Sequence, residues 1–345
     1  MRMRRVTELD RKMDKRFREM TTWLAQFDRY ADAVPEPASA DASFRRYFRL
    51  PGEPSVIVMD APPPQEDCRP FVEIAAYMEA MGVNTPRVIE VNLDRGFLLL
   101  SDLGSVQYLD WLDEHPDDAD RLYADALSAL LRIQDKGQEF QGRLPAYDRE
   151  LLLSELSIFY DWLCTKHLEI EFSAADKKRW ADCCEVLVSN GLEQQPVFVH
   201  RDYHSRNLML TAGKNPGVLD FQDAVEGPLT YDLVSLLKDC YVKWPTEKTL
   251  GWATDFYAQL PPKYRDATSE DRFIRQFDLT GVQRHLKAAG IFSRLLQRDG
   301  KDGYMKDVPR TLSYIVDVAP GYPELSFLRD LINERILPAL AAKKS

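Results

Sequence analysis

Three oxygen-bearing side chains stand out between residues 197 and 232: Asp202, Asn207 and Asp220. They lie in VFVHRDYHSRNLML, then GVLDFQDAVEG, then YDL, which reads as strand, loop, strand, turn, strand. Asp202 follows the first strand, Asn207 comes five residues later, and Asp220 ends the third strand. A hairpin of this size returns Asp220 beside Asn207. Phosphoryl transfer needs such a set, because Mg²⁺ takes oxygen ligands and bridges phosphates using one or two protein groups. Asn207 and Asp220 suit the metal, which leaves Asp202 to orient an acceptor hydroxyl and receive its proton. No covalent nucleophile is required, and no Ser-His-Asp or Cys-His spacing competes for the role.

The neighbouring residues divide into structure and recognition. His200, two residues before the base, is expected to tie backbone groups together. His204, inside the loop, is as well placed to touch substrate as to hold the loop. Asp232 reads as an anchor or helix cap at the site. Gln222 and Asp223 face either the acceptor or a neighbouring helix. Along 281–298, Arg284, Lys287, Arg294 and Arg298 fall within one arc of roughly 80° on a helical wheel. That arc is either a solvated basic face, or Arg284 and Lys287 meet an anionic group on the substrate. A polycationic acceptor would call for an acidic wall instead.

The elements that position these residues suggest two lobes, since 345 residues exceed one ordinary core. Leu9, Met13, Phe17, Met20, Leu24 and Phe27 recur at helical spacing until the proline-broken stretch at 34–38. Strands are expected at 43–50, 56–59, 87–91 and 96–101, with a helix from Pro70 closed by Gly82. Residues 1–101 therefore form an N-terminal nucleotide-binding lobe. Residues 102–345 form a mainly helical lobe, with helical patterns at 106–113, 117–135, 148–168 and 173–190 and the β insert at 196–221. The predicted class is α+β, and the nucleotide should lie in the cleft between the lobes, with Leu98–Asp102 as hinge.

Charge and composition narrow the partners. Net charge is −10, which argues against nucleic acid. Eight Lys/Arg against four Asp/Glu in the first 20 residues fit a solvated helix with mixed signs. No apolar run approaches the ~20 residues needed to span a bilayer, and a secretory leader is not expected. Five cysteines without CxxC spacing suggest neither a disulfide framework nor a zinc site, and fit a reducing cytoplasm. Oligomeric state is not encoded in any of these features.

His200, Arg201, Asp202 and Asn207 spell H-R-D-x-x-x-x-N, with the metal-binding Asp 18 residues after the base and a Gly227…Asp232 pair beyond. The chain here resembles the protein-kinase-like superfamily, in its aminoglycoside phosphotransferase branch, where Gly more often occupies the Arg201 position. SFRRYFRL, VMDAPP, HRDYHSRNLM, DFQDAVEGPLTYDL and QRHLKAAGIFSRL further resemble the anomeric kinases of N-acetylmuramate and N-acetylglucosamine. That similarity spans roughly residues 20 to 335 and implies an ATP- and Mg²⁺-dependent sugar kinase (an alcohol-group phosphotransferase) of bacterial cell-wall recycling. It also implies nucleotide-binding roles for Ser43, Arg45, Arg46, Glu73, Ser101 and Asp102.

One position departs from the superfamily. Met59, in VIVMD, stands where a strand lysine normally holds the phosphates in partnership with a helix glutamate. Glu73 is the expected glutamate, and Arg45 or Arg46 the expected replacement cation. Two other readings remain open at this level: a kinase of a different small acceptor, and a nucleotide-binding protein with a dead site.

Overall fold

The computed structural model describes residues 8–40 and 44–344. They fall into two compact units: the chain up to Ala80 together with Asn84–Ser105, and Met81–Val83 together with the chain from Val106 onward. The division thus follows Ser105 rather than Ser101, and a three-residue turn of the first segment counts with the second unit.

The first unit contains α1 (Glu8–Leu24), β1 (Glu36–Ala40), β2 (Arg46–Leu50), β3 (Val56–Asp60), α2 (Arg69–Ala80), β4 (Val88–Asn92) and β5 (Phe97–Ser101). Its sheet is antiparallel throughout, in the order β1-β2-β3-β5-β4. Alternation along β2, β3 and β5 sends Phe48, Leu50, Val56, Val58, Phe97 and Leu99 to one face. Met20, Trp23 and Leu24 of α1 cover that face, and Trp23 stacks on Phe97 with centroids 5.6 Å apart. Helix α2 buries Phe71, Ile74, Ala75 and Met78. Gly96 turns back at φ 68°, and a Cβ there would sit 1.9 Å from the Ala61 carbonyl oxygen. Strand β1 was not expected; Pro37 is tolerated because β1 is an edge strand and bulges between Pro37 and Ser39.

The second unit opens with α3 (Tyr108–Glu114), α4 (Ala119–Lys136) and α5 (Arg149–Ile158), the last running on as a π-helical stretch at Phe159–His167. Next come α6 (Ala174–Leu192), β6 (Pro196–Val199), β7 (Leu208–Met209), β8 (Gly217–Val218), β9 (Val225–Pro228) and α7 (Tyr231–Leu237). The remainder is α8 (Thr246–Gln259), α9 (Pro262–Arg265), α10 (Glu270–Asp299), α11 (Val308–Val318), α12 (Ser326–Leu331) and α13 (Leu337–Lys344). Two short antiparallel pairs carry the functional loop: β6 with β9, and β7 with β8.

Helix α10 is the axis of this unit and is buried on nearly every side, from Phe273 and Phe277 to Leu295. Gly290 permits its closest approach, because a Cβ there would meet the Phe159 backbone nitrogen at 2.5 Å. Of the two readings of 281–298, a solvated basic face does not hold at its N-terminal end: Arg284 is 6 % exposed and the Lys287 side chain 13 %. All five cysteines are buried and free.

Candidate active site

Strand β6 delivers the loop. Val197, Phe198 and Val199 are buried, and pairing to β9 fixes where the strand ends. Asp232, in the first turn of α7, then receives the backbone N–H of His200 at 2.6 Å and of Arg201 at 2.9 Å. It is fully buried, and burial pushes its carboxyl up to about 7 against the pull of those two donors. His200 is also fully buried, and its Nδ1 accepts the Asp202 N–H at 3.3 Å. Desolvation lowers its pKa to about 4, so it is neutral and braces the loop.

Beyond Asp202 the loop closes on itself. Asn207 Nδ2 donates to the Asp202 carbonyl at 2.9 Å, and His204 N donates to the same oxygen at 3.0 Å. Ser205 donates through N and Oγ to Asp239 at 3.0 and 2.5 Å. Pairing of Leu208 with Val218 then returns the chain, and Leu219 N donates to the Asn207 carbonyl at 2.9 Å. Asp220 adopts φ 61°, a left-handed turn that brings Oδ2 to 3.4 Å from Asn207 Nδ2. The hairpin thus brings Asn207 and Asp220 together.

Gln222 turns inward rather than along the loop: its Nε2 donates to Asp220 Oδ1 at 2.7 Å, while its buried Oε1 has no hydrogen-bond partner. Asp223 is exposed and lies 3.4 Å from the same amide nitrogen. An Asn207–Asp220 pair with an unpartnered amide oxygen beside it is a hard-oxygen donor set of the kind Mg²⁺ takes.

Under the loop lies a buried charge cluster. Arg201 stands at φ 77° and its Nη2 donates to Glu155 at 2.6 Å. The same carboxylate receives Lys287 Nζ at 2.7 Å, Gln283 Nε2 at 3.0 Å and the Tyr147 hydroxyl. Lys287 also donates to the Tyr231 hydroxyl at 3.0 Å. Arg284 approaches Cys240 Sγ at 3.8 Å. Burial alone would raise the Asp202 carboxyl, but Lys287 foremost, with Arg284, holds it below its ordinary value. Of the two readings of this arc, contact with an anionic substrate is not what the partners show: Lys287 is bonded to Glu155 and Tyr231, and Arg284 lies buried beside Cys240. Burial lowers the His204 pKa, and the ring packs edge-on to Tyr241 at 5.4 Å with Nδ1 lacking a partner.

The nucleotide-side residues belong to the first unit. Arg46 pairs directly opposite Asp60, on the face covered by α1, and donates through Nε to Asp60 Oδ2 at 3.0 Å. Arg16 grips the other oxygen of that fully buried carboxylate. Arg46 is thus turned away from the Met59 face. Arg45 hydrogen-bonds to Tyr47, which lies directly opposite Met59, and its Nε donates to Glu66 Oε2 at 3.1 Å. Glu66 also receives Phe44 N at 3.1 Å. Glu73 is instead exposed on α2 and bonded by the Tyr77 hydroxyl, so the glutamate partnered with the arginine is Glu66.

Asp102 is occupied by Arg49 at 2.6 Å, Ser55 Oγ at 2.8 Å and Gly104 N at 2.9 Å, and Ser101 Oγ receives Arg87 N at 2.8 Å. Ser43 lies outside the described residues. Glu66 and Glu155 were both missed. Glu66 sits in a loop with no pattern around it, whereas Glu155 left a trace as an acidic residue between Leu152 and Leu156 on a buried stripe.

Residues 34–277 match the phosphotransferase enzyme family, and the chain belongs to it. The fold and site thus define a kinase-like phosphotransferase. It is similar to the N-acetylmuramate/N-acetylglucosamine kinase of Pseudomonas aeruginosa, at 46% identity over 92% of this chain and 96% of that protein. The kinase of the same name from Pseudomonas putida is 45% identical over 93% of this chain and 97% of its own length. Among solved structures, choline kinase LicA from Streptococcus pneumoniae superposes with a TM-score of 0.61 at 9% identity, covering 90% of this chain and 99% of that one. That last likeness concerns the two-part α+β fold alone. No helix among the described residues is long and apolar enough to cross a membrane.

Proposed function

We propose that this phosphotransferase moves the γ-phosphoryl of ATP, as its Mg²⁺ complex, to the anomeric C1 hydroxyl of N-acetylmuramate and N-acetylglucosamine, in the cytoplasm. The observation that carries the acceptor is the 46% identity, over nearly the whole of both chains, to a kinase named for those two sugars. The loop geometry supports the chemistry. Asp202 is an ionised, half-buried carboxylate that can accept a hydrogen bond from the attacking hydroxyl, orient it and take its proton. A hemiacetal hydroxyl is more acidic than an ordinary alcohol, so a carboxylate of depressed basicity suffices.

Asn207, Asp220 and Gln222 Oε1 are the groups that would hold magnesium, which when bound neutralises charge on the phosphate oxygens. Asp232 and His200 keep the loop backbone fixed, so that orientation costs little at the moment of reaction. In the first unit Arg45, steadied by Glu66, is the cation assigned to the nucleotide phosphates in place of the strand lysine.

The test is ATP turnover with N-acetylmuramate, N-acetylglucosamine, glucose, choline and kanamycin. Turnover confined to the two N-acetylated sugars is expected. Preference for choline or kanamycin overturns the acceptor, and no turnover with any acceptor returns the reading of a dead site.

A further inference from the structure

Arg206 lies four residues after Asp202 and immediately before Asn207. Its guanidinium rests 4.8 Å from the Tyr241 ring centroid and 5.7 Å from that of Tyr304. Phe292 stacks behind Tyr304 at 5.7 Å, so the tyrosine is itself held. Arg206 forms no ion pair with a carboxylate among the described residues. Asp307 feels its charge, but is bonded by Arg310 at 2.9 Å. The contrast with Lys287 and Arg201, both committed to Glu155, is direct.

A half-buried guanidinium fixed by two ring faces has lost its rotamer freedom in advance and keeps a planar fork of N–H donors for a carboxylate. His204, two residues after Asp202 and two before Arg206, has a buried Nδ1 without a hydrogen-bond partner, a second polar group whose partner the protein does not supply.

We propose that Arg206 is the specificity-determining residue that reads the lactyl carboxylate of N-acetylmuramate, with His204 Nδ1 bonding a polar substituent of the sugar. This rests on the acceptor reading above, and it moves recognition of the acid from the buried α10 cations to the loop itself. Only the acidic sugar presents a carboxylate, so Arg206 discriminates between the two acceptors rather than supporting both equally. A charge-assisted, partly desolvated contact of this kind corresponds to roughly ten- to a hundredfold in relative kcat/KM.

The experiment compares kcat/KM for N-acetylmuramate, its lactyl amide and N-acetylglucosamine in wild type, Arg206→Met and Arg206→Lys. In wild type, capping the carboxylate as the amide should cost about as much as Arg206→Met costs the acid. In Arg206→Met the acid and amide should become equivalent, and the acid-to-neutral ratio should fall about tenfold or more, with partial recovery in Arg206→Lys. Wild-type turnover of both sugars with an unchanged ratio in Arg206→Met overturns the inference alone. Wild-type turnover of neither overturns the acceptor reading and this inference with it. Loss of folding in Arg206→Met leaves the acid–amide comparison in Arg206→Lys and wild type, where equal rates in wild type contradict the proposal.

Discussion

Arg201 Nη2 lies 2.6 Å from Glu155 Oε1 while the Arg201 backbone stands at φ 77°, so an α5 carboxylate pins the residue that immediately precedes the proposed base. A left-handed arginine is an unfavourable backbone state. The ion pair, with two backbone N–H bonds to Asp232 close by, over-determines it. Glu155 thereby couples the loop to α10 through Lys287 and Gln283.

Glu155→Gln should be strongly destabilising, because two buried cations lose their shared counter-charge. Breaking a buried pair from one side typically costs ~3–5 kcal/mol. Urea unfolding of wild type and variant measures this, and an unchanged midpoint would contradict the network's importance.

Lys287→Met should lower kcat/KM for both sugars alike and move its acid limb to higher pH. The Asp202 carboxyl is depressed by Lys287 against the opposing effect of burial, so removing the cation lets burial raise it. In wild type the depressed pKa contributes stability above the ordinary Asp value of ~3.9 that is lost as pH falls through the folded value. A pH–rate profile at saturating nucleotide reads the shift. A selective loss for N-acetylmuramate would instead mean that Lys287 reaches substrate.

Asp202→Asn should reduce turnover by ~10² or more with nucleotide affinity nearly intact, on the scale of a positioned proton acceptor. Asp220→Ala should weaken binding of the ATP–magnesium complex itself. Calorimetric nucleotide titration with and without magnesium separates the two.

The two adjacent arginines should behave differently. Arg45→Ala ought to raise the ATP KM several-fold and lower kcat. Arg46→Ala should chiefly lower the melting temperature, because buried Asp60 keeps only Arg16. Steady-state kinetics and thermal melts on both variants check this, and a large ATP effect from Arg46 alone would reverse the assignment.

What could be read from the residues was what is local. Asp202, Asn207 and Asp220 lie within one hairpin, so their spacing carries their geometry. Asp232, read as an anchor or helix cap, reaches back only to the end of β6. Strand parity was not legible: whether Arg45 or Arg46 shares the Met59 face depends on the β2–β3 register, and a one-residue shift exchanges them. Strand β9, VEGP, looks like loop because it is short and ends in proline, yet it is the partner that terminates β6. Lys287 and Glu155 are joined across more than a hundred residues, and a wheel that groups cations on α10 cannot tell solvent from a buried carboxylate. Periodicity marks an outer face only where one exists, and α10 is surrounded.

Phosphorus NMR of the product reads whether the phosphoryl of ATP arrives on the anomeric hydroxyl. With N-acetylglucosamine as acceptor, the product should be a sugar 1-phosphate whose phosphorus couples to the anomeric proton, and the 1-O-methyl glycoside should give none. A phosphorus signal coupled to the C6 protons, or consumption of the methyl glycoside at a comparable rate, would contradict it.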